Sequence, residues 1–508
     1  MQHDITTTII NTPQGTPVSN DGVMMIVCKG IAVPGANTPL VLDTAYLLTQ
    51  ASDLTKIGIT PDYDYVNGLN VYQQVTEFYN QAGSGALLWL VVTATTNVYN
   101  SYCLTTTFLN LVRGTATADP NKRAKGIGLC MQPPTTQQSA TDFSSESLAT
   151  IPVFQASHDT LFPEGFSFFG IIDGANMSST QTSAGLQSMA TKNAQSISFC
   201  ITGSRPNGTA GVGAALGRFA RITVGQGFGK VSDGPIAIQQ AYLTNDVNVP
   251  ILGTTISQGP LTAGDNYMVV NGPVTYNGVS YSVGSIFTVV IGTLGFSGTS
   301  TTVVDVTTTA AVTTGNTYLV LFGPVTYNSV AYQTGQTFTA ISAAGTFAGG
   351  IITLLNATPV NKLFKSDYDN LGASQYMFIR TWFQQDGLYW NDAATCLLAN
   401  TPLSTQEFNR VADSLTADVT TYLIQNLMGA NIPIDIKTGL ASASFVNALQ
   451  TQFDQMYIDP LIATNDISSC NLTLVGTPNG ANTINWAYSL PIMGTPITGN
   501  VVGQVQFV

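Results

Sequence analysis

The chain has 508 residues, of which only 16 are Lys or Arg, 28 are Asp or Glu and two are His. Its charged fraction of 9% lies far below the roughly 25% that is usual in soluble domains. A net charge of −12 argues against nucleic acid as a partner, because phosphate binding needs a basic face. So few acids, bases and metal ligands also argue against catalysis. A neutral surface rich in hydrogen-bonding groups suits a protein that assembles with copies of itself.

The N-terminal residues 1–20 predict an extended arm, which carries Ile5, Thr7 and Ile9. This stretch has neither the basic region nor the apolar region of a signal peptide. No apolar run in the chain approaches the roughly 18 residues of a membrane span. We therefore expect synthesis in a cytoplasm, without direct membrane insertion, and release, if any, inside an assembly or by lysis.

An α/β core follows the arm. Apolar residues recur at helical spacing over 71–82, Gly83 is a natural helix stop, and residues 86–92 form the continuous apolar run of a buried strand. The same alternation continues, with strands expected at 166–172 and 197–201 and helices expected at 183–194 and 214–221.

Residues 259–358 differ in composition, being rich in Thr, Val and Gly and containing no Lys or Arg. A repeat lies within them, because residues 267–277 return in similar form as residues 318–328. Asn277 and Gly278 predict a type I′ hairpin turn that pairs Tyr276 with Val279. Two such units predict a small all-β module inserted into the α/β chain.

The C-terminal part predicts a return of the core. A strand is expected at 377–383, Ser404 and Glu407 form a capping-box pattern before a helix that ends at Gly429, and a further helix is expected at 441–457. The tail from residue 484 is strand-like and ends in an alternating stretch that includes Val501, Val502, Val505 and Phe507.

No motif in the chain predicts a catalytic, cofactor or metal site. The Gly-rich residues 225–230 lack the spacing of a phosphate loop, and the stretches that begin at Asp62 and Asp367 lack the Glu that closes a calcium loop. His158, between Ser157 and Asp159, is expected in a solvated loop, because consecutive side chains cannot converge as a triad.

Two weaker signals remain. Asp386 and Asp392 flank Tyr389 and Trp390, which could stack a sugar, but one carboxylate pair fixes no catalytic geometry. The six scattered cysteines are expected to be reduced core residues.

Strand-like arms at both termini would be an aggregation liability in a monomer. They become useful if each completes the sheet of a neighbouring subunit, and open head-to-tail donation builds a helical polymer. Each arm could instead pack on its own subunit.

Three segments resemble the tail sheath proteins of contractile phage tails and related injection systems. They are residues 71–92, residues 214–221 through 231–235, and residues 387–392 followed by 408–413. The resemblance implies a virion subunit that polymerises around an inner tail tube protein, joins baseplate and tail terminator proteins, and contracts to drive the tube through an envelope. It implies no nucleotide or other cofactor.

The expected organisation is a sheath-type α/β core with an inserted all-β domain and strand-like arms. Its parts are an N-terminal arm (1–20), a first core part (21–258), an outward-facing insert (259–358), a second core part (359–482) and a C-terminal arm (483–508). Arg218, Arg221, Arg410 and Asp413 are candidate contacts with other subunits or with the tube. The alternatives are another self-assembling shell or tail protein, and a secreted adhesin or carbohydrate-binding protein.

Overall fold

The computed structural model describes most of the chain from residue 22 to residue 506. The described residues are 22–33, 40–60, 63–64, 67–117, 122–134, 138, 140–164, 166–178, 181, 183–222, 226–245, 250–251, 255–256, 261–271, 274–281, 286–290, 296–297, 302–305, 310–312, 314–322, 325–333, 336–341, 346–348, 351–354, 359–399, 404–411, 413–414, 422, 442–459, 471–476, 483–491 and 498–506. The predicted arm at 1–20, with Ile5, Thr7 and Ile9, lies outside them, as do Phe507 and most of the helix predicted to end at Gly429.

A six-stranded sheet organises the core, in the spatial order β2-β3-β1-β4-β5-β6. Its strands are β1 (Met24–Gly30), β2 (Ala45–Leu48), β3 (Leu88–Ala94), β4 (Gly126–Cys130), β5 (Phe169–Asp173) and β6 (Ile197–Cys200). All neighbours are parallel except β2, which runs antiparallel to β3. The five parallel strands therefore follow the order 2-1-3-4-5, one of the two common doubly wound arrangements.

Helices cover both faces of this sheet. The helices are α1 (Asp53–Lys56), α2 (Val71–Ala82), α3 (Tyr99–Tyr102), α4 (Thr106–Thr117), α5 (Ser145–Leu161), α6 (Val212–Arg221), α7 (Lys365–Ala373) and α8 (Ala443–Phe453). Alternate β1 residues face opposite ways, so that Ile26 joins a core cluster with α2 and α6, and Val27 joins one with α3, α4 and α5. The mixed α/β class predicted from the sequence is confirmed. None of the described helices is long and apolar enough to cross a membrane.

Helices α2 and α6 occur as the sequence predicts. Helix α2 ends at Gly83, whose φ of 86° would strain any other residue. Gln74 of α2 joins the two helices, because its Nε2 donates to the Ala210 oxygen (2.8 Å) and its Oε1 accepts from the Gly213 N–H (2.7 Å).

Two short strands, β7 (Thr202–Gly203) and β8 (Tyr242–Leu243), pair with each other. The short strands between residues 250 and 354 are β9 (Pro250–Ile251), β10 (Thr255–Ile256), β11 (Asn266–Asn271), β12 (Val274–Tyr276), β13 (Val279–Tyr281), β14 (Ile286–Thr288), β15 (Thr302–Asp305), β16 (Ala310–Ala311), β17 (Thr317–Phe322), β18 (Val325–Tyr327), β19 (Val330–Tyr332), β20 (Thr337–Thr339), β21 (Thr346–Ala348) and β22 (Ile351–Leu354). Each repeat has its own hydrophobic cluster. Strand β9, which precedes residue 259, pairs with β22.

Both predicted hairpins have the expected register. Tyr276 pairs with Val279, and Tyr327 of the second copy pairs with Val330. The turn residues Asn277 and Gly278 have φ values of 48° and 76°, as a type I′ turn requires.

The predictions of a helix at 183–194 and of a strand at 377–383 are wrong. Residues 183–194 form turns and one 3₁₀ turn (Met189–Lys192) instead of a helix. Distant groups bind their backbone, because the Met189 N–H donates to the Ser374 oxygen (2.9 Å) and the Ala194 N–H donates to the Cys396 oxygen (2.9 Å). The strand predicted at 377–383 is reduced to β23 (Ile379–Arg380), which pairs with β24 (Tyr389–Trp390).

Residues 442–506, where described, contain one α-helix and three strands. Helix α8 continues into a π-helical turn, Asp454–Ile458. Strands β25 (Asn471–Gly476), β26 (Thr483–Pro491) and β27 (Thr498–Gln506) form an antiparallel sheet in that order. Among the described residues, β27 therefore lies at one edge of this sheet.

Candidate functional site

One candidate site is the crevice beyond the carboxyl ends of β1 and β4, where sheets with this strand order bind ligands. At the end of β1, the Tyr63 hydroxyl donates to the Ile31 oxygen (2.6 Å) and accepts from the Ile31 N–H (2.8 Å). From the other side, Asn70 donates from Nδ2 to the Met131 oxygen (3.0 Å). Side chains of the chain itself thus bind the backbone just beyond both strand ends.

A second polar network lies on the opposite face of the sheet. The Tyr99 hydroxyl is 3.0 Å from the Val27 oxygen and 2.9 Å from the Cys130 oxygen, and its complete burial raises its pKa well above the usual range. Glu146 accepts from the Tyr99 N–H (2.8 Å) and pairs with Lys29 (2.7 Å). These groups satisfy one another and link strands β1 and β4 to helices α3 and α5.

Buried carboxylates at this end of the sheet hold backbone segments. Asp173 accepts from the Ala210 N–H (2.7 Å) and the Met131 N–H (3.1 Å), and burial raises its pKa well above the usual range. Asp64 accepts from the N–H groups of Tyr72 (3.0 Å) and Gln73 (2.9 Å) at the start of α2. Burial raises the pKa of Asp64 to about 6. Both carboxylates therefore act as structural anchors.

The motifs weighed for phosphate and calcium have structural partners. In the Gly-rich loop, the Phe228 N–H donates to Glu407 Oε1 (2.7 Å), and a Cβ at Gly229 would lie 2.0 Å from the Asn391 oxygen. Asp367 accepts from the Phe364 N–H (2.8 Å) at the start of α7. Among the described residues, no group of three or more His, Cys, Asp or Glu side chains could hold a metal ion.

The capping box predicted from Ser404 and Glu407 is wrong. The Glu407 carboxylate binds the distant Phe228 N–H, and the helix that begins near it starts at Gln406. The side chain therefore joins two distant segments of the core.

His158 does not lie in a solvated loop. It is 4% exposed on α5, and its ring lies between Phe162 (centroids 5.5 Å apart) and Phe168 (5.4 Å). Ser157 donates to the Cys103 oxygen (2.8 Å), so its hydroxyl is engaged elsewhere. The prediction of a loop is wrong because the helix extends through this polar stretch.

The aromatic pair considered for sugar stacking is buried. Tyr389 is 5% exposed and Trp390 is 1% exposed, with the Trp390 ring 5.2 Å from that of Phe228. Neither ring can stack on a sugar in solution. The five cysteines in the described part of the chain are free and buried, as predicted, and Cys470 lies outside it.

Two of the four charged residues predicted as subunit contacts are buried in their own chain. Arg218 donates to the Phe228 oxygen (3.1 Å) and to Asp233 (2.5 Å). Arg410 donates to the Phe219 oxygen (3.3 Å) and lies over the Phe219 ring. Arg221 is exposed and Asp413 is half-buried. Contact of these four residues with another subunit stays a prediction.

Of the predicted C-terminal arm residues, Val501, Val502 and Val505 lie on β27, beside β26 of the same chain. Val501 pairs with Tyr488, Val502 with Ala487 and Val505 with Ile484. The other edge of β27 carries no described strand.

Sequence reasoning missed one surface feature, a cleft of about 930 Å³ beside α2 and the second β repeat. A signal for it exists, because Gln73, Thr76, Glu77 and Asn80 form a polar stripe at helical spacing on α2. Only the fold shows that this stripe lines a cleft and does not simply face solvent.

Comparison with known proteins gives matches to one family model and to solved structures. Residues 2–251 match the family model described as "DUF2586, N-terminal domain". No curated protein matches the sequence.

Three of the solved structures that match are described as sheath proteins or a sheath complex. The PVC sheath complex of an extracellular contractile injection system, in its contracted state, is 10% identical (TM-score 0.41) over 96% of this chain and 88% of that chain. The sheath tail protein of Desulfitobacterium hafniense is 7% identical (TM-score 0.43), covering 95% and 96%. That of Listeria innocua is 9% identical (TM-score 0.42), covering 95% of each.

Proposed function

We propose that this protein is the structural subunit of a contractile tail sheath, which polymerises helically around an inner tube and contracts to drive the tube through a cell envelope. The observation that carries the proposal is the packing of the three sequence segments that resemble sheath proteins. They are far apart in the chain, and they meet in one part of the core.

The contacts between these segments are specific. Helix α2 of the first segment packs against α6 of the second. Arg410 of the third segment lies over Phe219 of α6, with 5.1 Å between its guanidinium and the ring centroid. Phe228, in the loop after α6, stacks on Phe219 (4.4 Å) and packs on Trp390 (5.2 Å). Three patterns that fold into one unit are stronger support than three separate matches.

Assembly in this proposal uses the termini. Residues 1–20 of one subunit and the C-terminal strand would complete sheets in neighbouring subunits, and β27, at an edge of its sheet, has the geometry for strand addition. The proposed partners are copies of this chain, the inner tail tube protein, and baseplate and tail terminator proteins. The proposed location is the virion tail.

An inserted β domain is part of the proposal. The Val360 N–H donates to the Ala241 oxygen (2.9 Å), and Tyr242 bridges to Pro359. The two chain ends of the β region therefore leave the core side by side, which supports an insertion whose mass can point outward. The proposal assigns no catalytic or cofactor role to any residue.

Negative-stain microscopy of the purified full-length protein tests the proposal. We expect striated hollow tubes. Removal of residues 1–20 should leave a folded, soluble protein that forms no tubes, because the linking strand is lost. Closed shells, or monomers under all assembly conditions, would contradict the sheath function. Tubes formed by the truncated protein would contradict only the proposed role of the arm and leave the sheath function standing.

A further inference from the structure

A cleft of about 930 Å³ lies between the core and the second β repeat. One wall consists of α2 with residues 204–206 and 237–242, and the other consists of residues from β17, β19 and β20. Its volume falls in the range of known small-molecule sites, roughly 300 to 1,000 Å³.

The walls are polar but nearly uncharged. Amides and hydroxyls dominate on the core side and on the repeat, in the form of Gln73, Thr76, Asn80, Gln240, Gln336 and Thr337. Of the described lining residues, Glu77 and Arg205 are the only charged ones. Such a surface offers many hydrogen bonds and little net charge, so it favours a neutral ligand with many hydroxyl groups.

Glu77 is the buried acceptor in this cleft, with 7% of its surface exposed. Its Oε1 accepts from Gln73 Nε2 (2.8 Å) and from the Ser204 hydroxyl. Its Oε2 is buried and has no hydrogen-bond partner among the described residues. This oxygen lies against Gly211, where a Cβ would be 3.2 Å from it, so Glu77 contributes to the cleft by holding Gln73 and Ser204 in place.

Tyr332 supplies an aromatic surface on the opposite wall. It lies on β19, it is half-buried, and its ring packs on Phe338 at 5.1 Å. Val330, two residues earlier on the same strand, is 51% exposed and also lines the cleft. An apolar aromatic wall facing amides and a carboxylate matches a sugar, which has C–H faces and hydroxyl edges.

We propose that this cleft binds a neutral oligosaccharide, with Tyr332 packed against a sugar ring and the amide side chains of the opposite wall, such as Asn80 and Gln240, bonding the sugar hydroxyls. This site does not depend on the sheath function, and the sheath function does not depend on it.

The first β repeat provides a matched control. Tyr281 occupies the position of Tyr332, and its ring packs on Phe287 at 4.8 Å in the same way. Only Tyr332 of this pair lines the described cleft. Tyr332→Ala and Tyr281→Ala should therefore lose similar stability, whereas only Tyr332→Ala should lose a ligand.

The experiment applies the full-length protein to an array of neutral hexose and N-acetylhexosamine oligosaccharides, with sialylated and sulfated glycans as acidic comparators. The best neutral glycan is then titrated calorimetrically into the wild type and both variants, whose thermal midpoints are also measured. We expect neutral glycans to bind, Tyr332→Ala to weaken binding about tenfold or more, and Tyr281→Ala to bind as the wild type does.

Several outcomes would overturn the proposal. They are the absence of neutral binding at millimolar glycan, preference for the acidic glycans, and equal losses in the two variants. A synthetic peptide of residues 1–21 is titrated in parallel. If it displaces the glycan or binds in its place, the cleft is a peptide site instead.

Discussion

Gly213 sets the distance between α2 and α6. A Cβ at this position would lie 1.9 Å from the Gln74 carbonyl oxygen, a backbone atom that cannot move without its helix. We expect Gly213→Ala to lower the free energy of unfolding by about 1 to 3 kcal/mol, in the range of overpacked cores. Thermal and urea unfolding of the soluble protein measure this loss.

The matched control for Gly213 is Gly114 in α4. A Cβ at Gly114 would meet no atom within 4 Å, so Gly114→Ala should stabilise the protein by about 0.5 to 1 kcal/mol through helix propensity. Equal effects of the two substitutions would show that the α2–α6 contact can relax.

Glu407 should make stability depend on pH. Burial raises its pKa from 4.5 to about 7, and the Asp392 carboxylate adds to the rise. The folded state therefore holds this proton more tightly than the unfolded state, and stability falls as pH rises from about 4.5 to about 7.

The variant Glu407→Gln removes the titrating carboxyl while keeping an acceptor for the Phe228 N–H. Between pH 5 and pH 8 we expect the free energy of unfolding to fall less for this variant than for the wild type, by on the order of 1 kcal/mol. The thermal midpoint measured at each pH follows this difference. Glu164→Gln is the control, because its exposed ion pair with Arg113 lowers the pKa of Glu164 and so moves its titration below this window. Parallel pH profiles for the wild type and Glu407→Gln would refute the assignment.

At the scale of elements, the two hairpins allow a reciprocal exchange. The second turn has Ser329 at a φ of 62°, where the first turn has Gly278 at 76°. Left-handed backbone strains Ser but not Gly. We expect Ser329→Gly to stabilise its repeat and Gly278→Ser to destabilise the other, each by about 0.5 to 1 kcal/mol. Thermal unfolding of both variants measures the changes, and shifts of the same sign would contradict the turn assignment.

The C-terminal strand offers a test of strand addition that leaves its own sheet intact. Successive N–H groups of an antiparallel strand point to opposite edges, so one of Val501 and Val502 faces β26 and the other faces outward. Proline removes an N–H donor. The two variants are Val501→Pro and Val502→Pro. The one whose N–H faces β26 should have a lower thermal midpoint. The one whose N–H faces outward should keep nearly the wild-type midpoint and form no tubes in negative-stain images.

This proline pair separates two explanations of the terminal strand. If the stable variant forms tubes as the wild type does, β27 serves only its own subunit.

Elements that depend on local chemistry could be predicted, and those that depend on distant partners could not. The hairpin register follows from Asn277 and Gly278 alone, and the end of α2 follows from Gly83. Residues 183–194 looked helical because their sequence does not reveal that Ser374 and Cys396 bind their backbone. The cleft was missed for the same reason, since it brings together residues as distant in the chain as Asn80 and Thr337.

At the scale of the whole molecule, the low charge content has a specific consequence. Several of the few charged groups, Arg218, Arg410, Lys29, Asp64 and Asp173, are buried and hold segments of the core together. The exposed surface of the described chain is therefore even more neutral than the composition indicates. Contacts between subunits would rest on backbone and amide hydrogen bonds, so we expect assembly to depend only weakly on salt.

The β region should be separable from the core if it is excised where its two ends meet. The sequence boundary at residue 259 would leave β9 in place without its partner β22, exposing the edge of a strand. The hydrogen bond from the Val360 N–H to the Ala241 oxygen indicates a better position, with residues 246–357 replaced by a short Gly-Ser linker. We expect this variant to fold and, if the region is a peripheral insert, to form tubes with the wild-type striation but a smaller outer diameter. Excision of 259–358 is the matched comparison and should give a less soluble protein. Loss of the core's cooperative unfolding after the 246–357 excision would show instead that the β region is an integral part of the core.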